Sequence, residues 1–220
     1  MEEKALYYPY IHQQVKKTSR HITVVGNGKV AVEPNVATIH LEINTRSEEL
    51  QEAQQENAAL TNQVIQSLLR LGVPRENIQT VAYTIFPRYD FRDGEQIFRG
   101  YEVTNAIAVT LTDVQQAGAV IDVAVANGAN RVTNVEFSVE DIELHRQEAI
   151  VKALKNAQSK ARTIAETLHL QIDPQPVNII EVERSGQPVA FKSVAILDST
   201  TPIEGGQIMI QSTMRVQYEY

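Results

Sequence analysis

The chain has 220 residues, a net charge of −7, an isoelectric point near 5.3 and a hydrophobic fraction of 43%, with no cysteine at all. That is enough apolar residue to bury a core, and too acidic a balance for a nucleic-acid backbone to be a natural partner. The missing cysteine excludes disulfides, thiol catalysis and cysteine metal sites.

Glu2 and Glu3 come first, and Pro9, His12 and Gln13 break every apolar run in the opening segment, so no basic-then-apolar export signal is read there. No stretch approaches the ~20 apolar residues of a membrane helix. The expectation is a cytoplasmic chain without membrane insertion. Residues 1–20 read as a flexible arm, with Tyr7, Tyr8 and Tyr10 giving it some stickiness. Residues 21–220 read as a single domain, because no shift in composition divides them.

From His21 a strand begins, with Gly26 and Gly28 marking a bulge or a close approach. After the turn at Glu33-Pro34-Asn35 a second strand alternates: Ala37, Ile39, Leu41 and Ile43 against Thr38, His40, Glu42 and Asn44. Ser47 opens a long helix with an apolar stripe at Leu50, Ala53, Leu60, Val64, Leu68 and Leu71, closed by Gly72 and Pro74. A strand from Ile78 to about Phe86 and a return strand from about Phe98 to Leu111 flank Asp93-Gly94, a tight-turn pair. A two-residue turn there sets Ile85 against Glu102 and Tyr83 against Thr104, apolar against polar. The register therefore calls for a one-residue bulge near Pro87 or a looser loop.

Asp113 caps a second helix ending at Asn127-Gly128, and a strand follows from Arg131 to Val139. The third helix, Ile142 to Leu168, repeats alanine every four residues from Ala149 to Ala165, which lets it lie close on a neighbour. A strand at Val177–Val182, a long irregular connection over 183–206 and a clearly alternating strand ending at Tyr220 complete the chain. The run helix–glycine–strand occurs twice, at Leu68–Ile85 and at Val123–Val139. Together these elements predict an α+β fold: a single, mostly antiparallel sheet of about seven strands backed by three helices, with an internal helix–strand repeat.

Chemistry is sparse. Gly26-Asn27-Gly28 begins like a dinucleotide loop, but Val30 and Val32 continue as strand where that motif needs a helix. The five histidines have no metal-ligand spacing. Glu136, Glu140, Asp141 and Glu143 read as solvated acids at a helix start. No nucleophile elbow is present. No catalytic, cofactor-binding or metal residue is assigned, and the chain is expected not to be an enzyme. One patch stands out at the hairpin tip: Arg88, Tyr89, Phe91, Arg92, Phe98 and Arg99, next to Tyr101, mix the residue types enriched in interface hot spots.

With these residues in view, the chain resembles the SIMPL domain family from about Ile22 to Tyr220. The marks are Gly26-x-Gly28, Pro34-Asn35-Val36-Ala37, Ile78-Gln79-Thr80, Pro87-x-Tyr89, Gly100-Tyr101 with Asn105, Gly128-Ala129-Asn130, Phe137, the alanine-rich helix and the closing segment from Pro202. The resemblance implies a helix-backed antiparallel sheet, a tendency to oligomerise and no established catalytic residues. Because many bacterial members are envelope or periplasmic proteins, it also implies the cell envelope as the alternative location. The functional expectation is a non-enzymatic oligomeric assembly or adaptor protein, partnered with itself or with another protein. The alternative is a small-molecule or peptide binding module with a groove near 183–206.

Overall fold

A computed structural model describes residues 20–182, 189–191 and 201–220. In chain order the elements are β1 (His21–Val32), β2 (Val36–Ser47), α1 (Leu50–Arg70), β3 (Ile78–Arg92), β4 (Glu95–Leu111), α2 (Ala117–Ala126), β5 (Arg131–Ser138), α3 (Ile142–Thr167), β6 (Pro176–Glu181), β7 (Val189–Phe191) and β8 (Gln207–Glu219). They form two sheets, and the expectation of a single sheet is wrong. One has the order β3-β4-β2-β5; the other has the order β1-β8-β6 with β7 added beside β8. Strand alternation shows which face of each strand is buried, but it carries no information about which strands pair. By proximity the described residues fall into two units: 20–28, 150–182 and 212–220 in one, and 29–149, 189–191 and 201–211 in the other. The arm expected over residues 1–20, and most of the connection over 183–206 with the groove expected beside it, lie outside the described residues.

In the larger unit, β4 and β5 both pair antiparallel with β2, and β3 pairs antiparallel with β4. Helices α1 and α2 cover one face. Ala37, Ile39, Leu41 and Ile43 of β2 and Ile107, Val109 and Leu111 of β4 pack there against Val64, Leu68, Val120, Ile121 and Ala124. The two copies of the repeat supply the two edges, β3 and β5, and both helices stop in the same way. Gly72 and Gly128 take positive φ, which an L side chain resists. The next residue donates back five positions, Val73 N–H to the Leu68 carbonyl at 3.1 Å and Ala129 N–H to the Ala124 carbonyl at 3.0 Å. The α1 stripe also contains polar residues. Asn57, 1% exposed, donates through Nδ2 to the carbonyls of Ile43 and Val103 at 2.8 and 3.1 Å. Also in this unit, Ala149 packs with Val30, Ile208 and Ile210.

In the smaller unit, Ala153, Ala157, Ala161 and Ala165 of α3 pack on Ile22, Val24, Met214, Val216 and Tyr218. The alanine stripe is thus core packing. Gly26 marks a close approach: a Cβ there would overlap the Ala153 carbonyl oxygen and lie 2.7 Å from the Ala157 nitrogen. Helix α3 also covers main-chain groups of β1. Asn27 N–H donates to Asn156 Oδ1 at 3.1 Å, and Lys160 Nζ donates to the Val25 carbonyl at 2.7 Å. Among the described residues no strand pairs with this outer edge of β1; such edges recruit other strands, and these side chains blunt it. At the start of α3, which belongs to the larger unit, Asp141 Oδ1 accepts the Leu144 N–H at 3.2 Å, so this member of the acidic cluster serves the helix start. His169, at φ 54, ends that helix as Gly72 and Gly128 end theirs, with Leu170 N–H donating to the Ala165 carbonyl at 2.8 Å.

Candidate interaction surface

Strands β3 and β4 run on past the helices into a long hairpin. Asp93 and Gly94 both take positive φ (53° and 86°), the geometry of a two-residue turn whose twist matches that of its strands. Arg92 faces Glu95 and Tyr89 faces Phe98 across that turn. The register then shifts between Tyr89 and Pro87, so that Pro87 faces Tyr101 and Ile85 faces Val103. This is the bulge the apolar pattern demanded. Its extra residue sits on β4, where Arg99 and Gly100 together oppose Arg88. Gly100 is buried at φ 96°, and a Cβ on it would overlap the Ser47 carbonyl oxygen and lie 2.8 Å from Glu48 Cα. The bulge therefore seats against the junction of β2 and α1.

Alternation separates the mixed patch into two faces. Tyr89 and Phe98 pack edge to face at 5.6 Å, and Phe98 and Tyr101 at 5.3 Å. Phe91, two residues beyond Tyr89 on the same face, is 77% exposed. The opposite face carries the charges: Arg99 pairs with Asp90 at 2.8 Å, and Arg88 lies 3.6 Å from Glu102. Arg92, at the turn, is exposed. The six residues singled out in the sequence thus form an aromatic face and an ionic face of one ribbon.

Glu102 also takes a hydrogen bond from Arg46 at 2.7 Å. Burial pushes its carboxyl up, but hydrogen bonding from Asn44 and Arg46 and the charges of Arg46 and Arg88 outweigh that and hold it below the ordinary carboxylate range. A lowered folded-state value gives stability that is present above the unfolded pKa and is lost as pH falls through the folded one. The unfolding free energies of wild type and Glu102→Gln, measured by urea titration, should therefore differ at pH 6 and converge as the pH falls from about 4.5 towards 3. A gap of constant size across that range contradicts this account of Glu102.

A second feature, absent from the sequence reading, lies where β5 stops short of the end of β2. A cleft of about 550 Å³ is lined by Asn44, Thr45 and Arg46 of β2, Glu56 and Leu60 of α1, Glu102 of β4, and Asn130 and Arg131. Asn130 fills the first vacant rung with its side chain. Its Oδ1 accepts the Asn44 N–H at 3.0 Å, and its Nδ2 donates to the Asn44 carbonyl at 2.6 Å. The asparagines at the strand ends were the only signal in the sequence, and nothing there says that they meet. Among the described residues, no group of three or more histidine, aspartate or glutamate side chains is placed to hold a metal ion, and no helix is long and apolar enough to cross a membrane.

Comparison with known proteins relates the sequence to a wider group. The family model for SIMPL, described as a protein of unknown function (DUF541), matches residues 22–218. Uncharacterized protein YggE of Escherichia coli (strain K12) is 25% identical over 154 residues, covering 70% of this chain and 63% of YggE. The match thus spans less than two thirds of that relative's length. The 26 kDa periplasmic immunogenic protein of Brucella melitensis is 24% identical over 229 aligned residues, covering 98% of this chain and 91% of the relative.

Proposed function

The chain belongs to the SIMPL family of proteins of unknown function, and from that premise we propose that it is a non-enzymatic assembly protein that joins copies of itself through the tip of the β3–β4 hairpin. The observation that carries this reading is the aromatic face: Tyr89 and Phe98 are each 45% exposed and Phe91 is 77% exposed, all on one face of a two-stranded ribbon. Aromatic anchors on a preorganised element lose little entropy on docking, and they are the side chains that dominate hot spots. Strand β3 adds a long outer edge with Val81, Tyr83 and Phe86 exposed beside it. The ionic face supports register and partner choice more than affinity. A role as an adaptor for another protein uses the same surface.

The name of the Brucella relative places that protein in the periplasm. It supports a cell-envelope location for this chain over the cytoplasmic one.

Sedimentation velocity on a dilution series tests the assembly surface. The double variant Phe91→Ser/Phe98→Ser should weaken self-association by about 100-fold or more, since two hot-spot residues are lost. The variant Arg92→Ala should change it by less than about fivefold. Equal effects from the two, or none from either, contradict the proposal.

A further inference from the structure

We infer that the cleft at the end of β5 is a docking site for a short extended peptide, bound as an added strand along β2, with an apolar and a basic side chain. This inference is independent of the assembly reading, because the contacts it invokes, the Arg46 main chain, Leu60 and Glu56, lie outside the hairpin tip.

The argument begins with the main chain. Strand β5 ends its pairing at Arg131, opposite Glu42. On this side the Glu42 carbonyl accepts from Asn130 N–H at 3.1 Å, and both peptide groups of Asn44 are taken by the Asn130 amide. Alternation along a strand then turns the N–H and C=O of Arg46 towards the same edge. Among the described residues no strand lies beside Arg46 there; the cleft does. What this edge accepts is shown one rung earlier, where a side-chain amide imitates a paired strand. A free peptide group matches the next rung in the same way, with N–H to carbonyl and carbonyl to N–H.

Side chains set the rest. A residue opposite Arg46 shares its face, so the residues on either side of it turn towards α1, where Leu60 and Glu56 line the cleft. Leu60 offers an apolar wall and lies close over Gly128, where a Cβ would sit 3.0 Å from Leu60 Cδ2. The other charges in the cleft are already matched: Arg46 to Glu102 at 2.7 Å and Arg131 to Glu42 at 3.2 Å. Glu56 is the exposed acid with no ion pair among the described residues. Hence one apolar contact, one basic contact, and a peptide unit between them.

The probe is a panel of fluorescein-labelled, end-blocked pentapeptides with valine or leucine on one side of the central residue and lysine on the other, in both orders, titrated by fluorescence anisotropy into the full chain. At least one member should bind saturably, and hydrogen exchange should slow over residues 44–47. Single N-methylation at the residue opposite Arg46 should weaken binding by about tenfold or more, and at either neighbour by less than about threefold. Glu56→Lys should weaken binding two- to fivefold, about the worth of one exposed ion pair, with an unchanged unfolding midpoint. Absence of saturable binding by every member up to 1 mM, a figure set at about the limit of weak specific association, overturns the inference. So does binding that tolerates N-methylation at every position.

Discussion

Replacing Gly26 by valine is expected to destabilise the fold by about 3 kcal/mol or more, the top of the range for overpacking a core. The site gives the new side chain no room. A Cβ at Gly26 meets backbone, the Ala153 carbonyl oxygen and the Ala157 nitrogen, and it meets the Ala157 Cβ at 2.8 Å. Backbone inside a helix cannot swing aside as the end of a long side chain can. Ala153 and Ala157 are fully buried, so α3 has to lift from β1 and expose the alanine stripe along with Val24 and Val216. Gly94→Ala is the natural control, because it also changes a glycine but has nothing within 4 Å of the new Cβ. Its cost is the left-handed backbone alone, about 1–2 kcal/mol. Urea unfolding of both variants checks this. A Gly26→Val change within about 0.5 kcal/mol of wild type, the scale of an ordinary surface substitution, contradicts the packing of α3 on β1.

Gly100→Ala should cost about 3 kcal/mol and, unlike the first change, should also disturb the proposed interaction surface. Two penalties add here. The residue sits at φ 96°, which costs an L side chain about 1–2 kcal/mol. The Cβ also overlaps the Ser47 carbonyl oxygen, adding about 1–3 kcal/mol of overpacking. The cheapest relief is to lose the bulge. A hairpin without it returns to the register that sets Ile85 against Glu102, and one apolar row turns to the wrong side. Hydrogen exchange should therefore rise over residues 83–91 and 97–105, the strands flanking the bulge, while α2 and β5 stay protected. Uniform loss of protection across the chain contradicts the local role given to Gly100.

Much of this bulge was legible because it follows from a conflict. The turn at Asp93-Gly94 dictates one register and the apolar pattern of β3 and β4 dictates another, so a residue has to be inserted between them. The alternation of β8 and the alanine spacing of α3 were legible for a similar reason: each is a local period imposed by one buried face. Pairing between distant strands has no such signature. Both β1 and β8 are amphipathic, and so are β2 and β4, and nothing local says that the first two leave to form a sheet of their own. The α1 stripe shows a different limit. Asn57 and Thr61 occupy core-facing positions at helical spacing. A reading that follows apolar residues passes over them, although Asn57 donates to two strand carbonyls.

The hairpin tip was legible in part as well. Composition singled out the aromatic and arginine cluster over residues 88–99, and Tyr89, Phe91 and Phe98 are exposed there. It could not separate aromatic from ionic residues, because that separation depends on a strand alternation that the sequence reading ended near Phe86. The cleft beside β2 was beyond reach. It exists because β5 stops at its pairing with Glu42, while β2 continues to Ser47.

Light scattering on the wild-type chain at about 10 µM, a concentration at which a specific self-interface of ordinary strength is populated, is the most direct test of the assembly account. A particle mass that is a whole multiple of 24.6 kDa, falling to 24.6 kDa in the Phe91→Ser/Phe98→Ser variant, is the predicted result. A wild-type mass of 24.6 kDa at that concentration contradicts it.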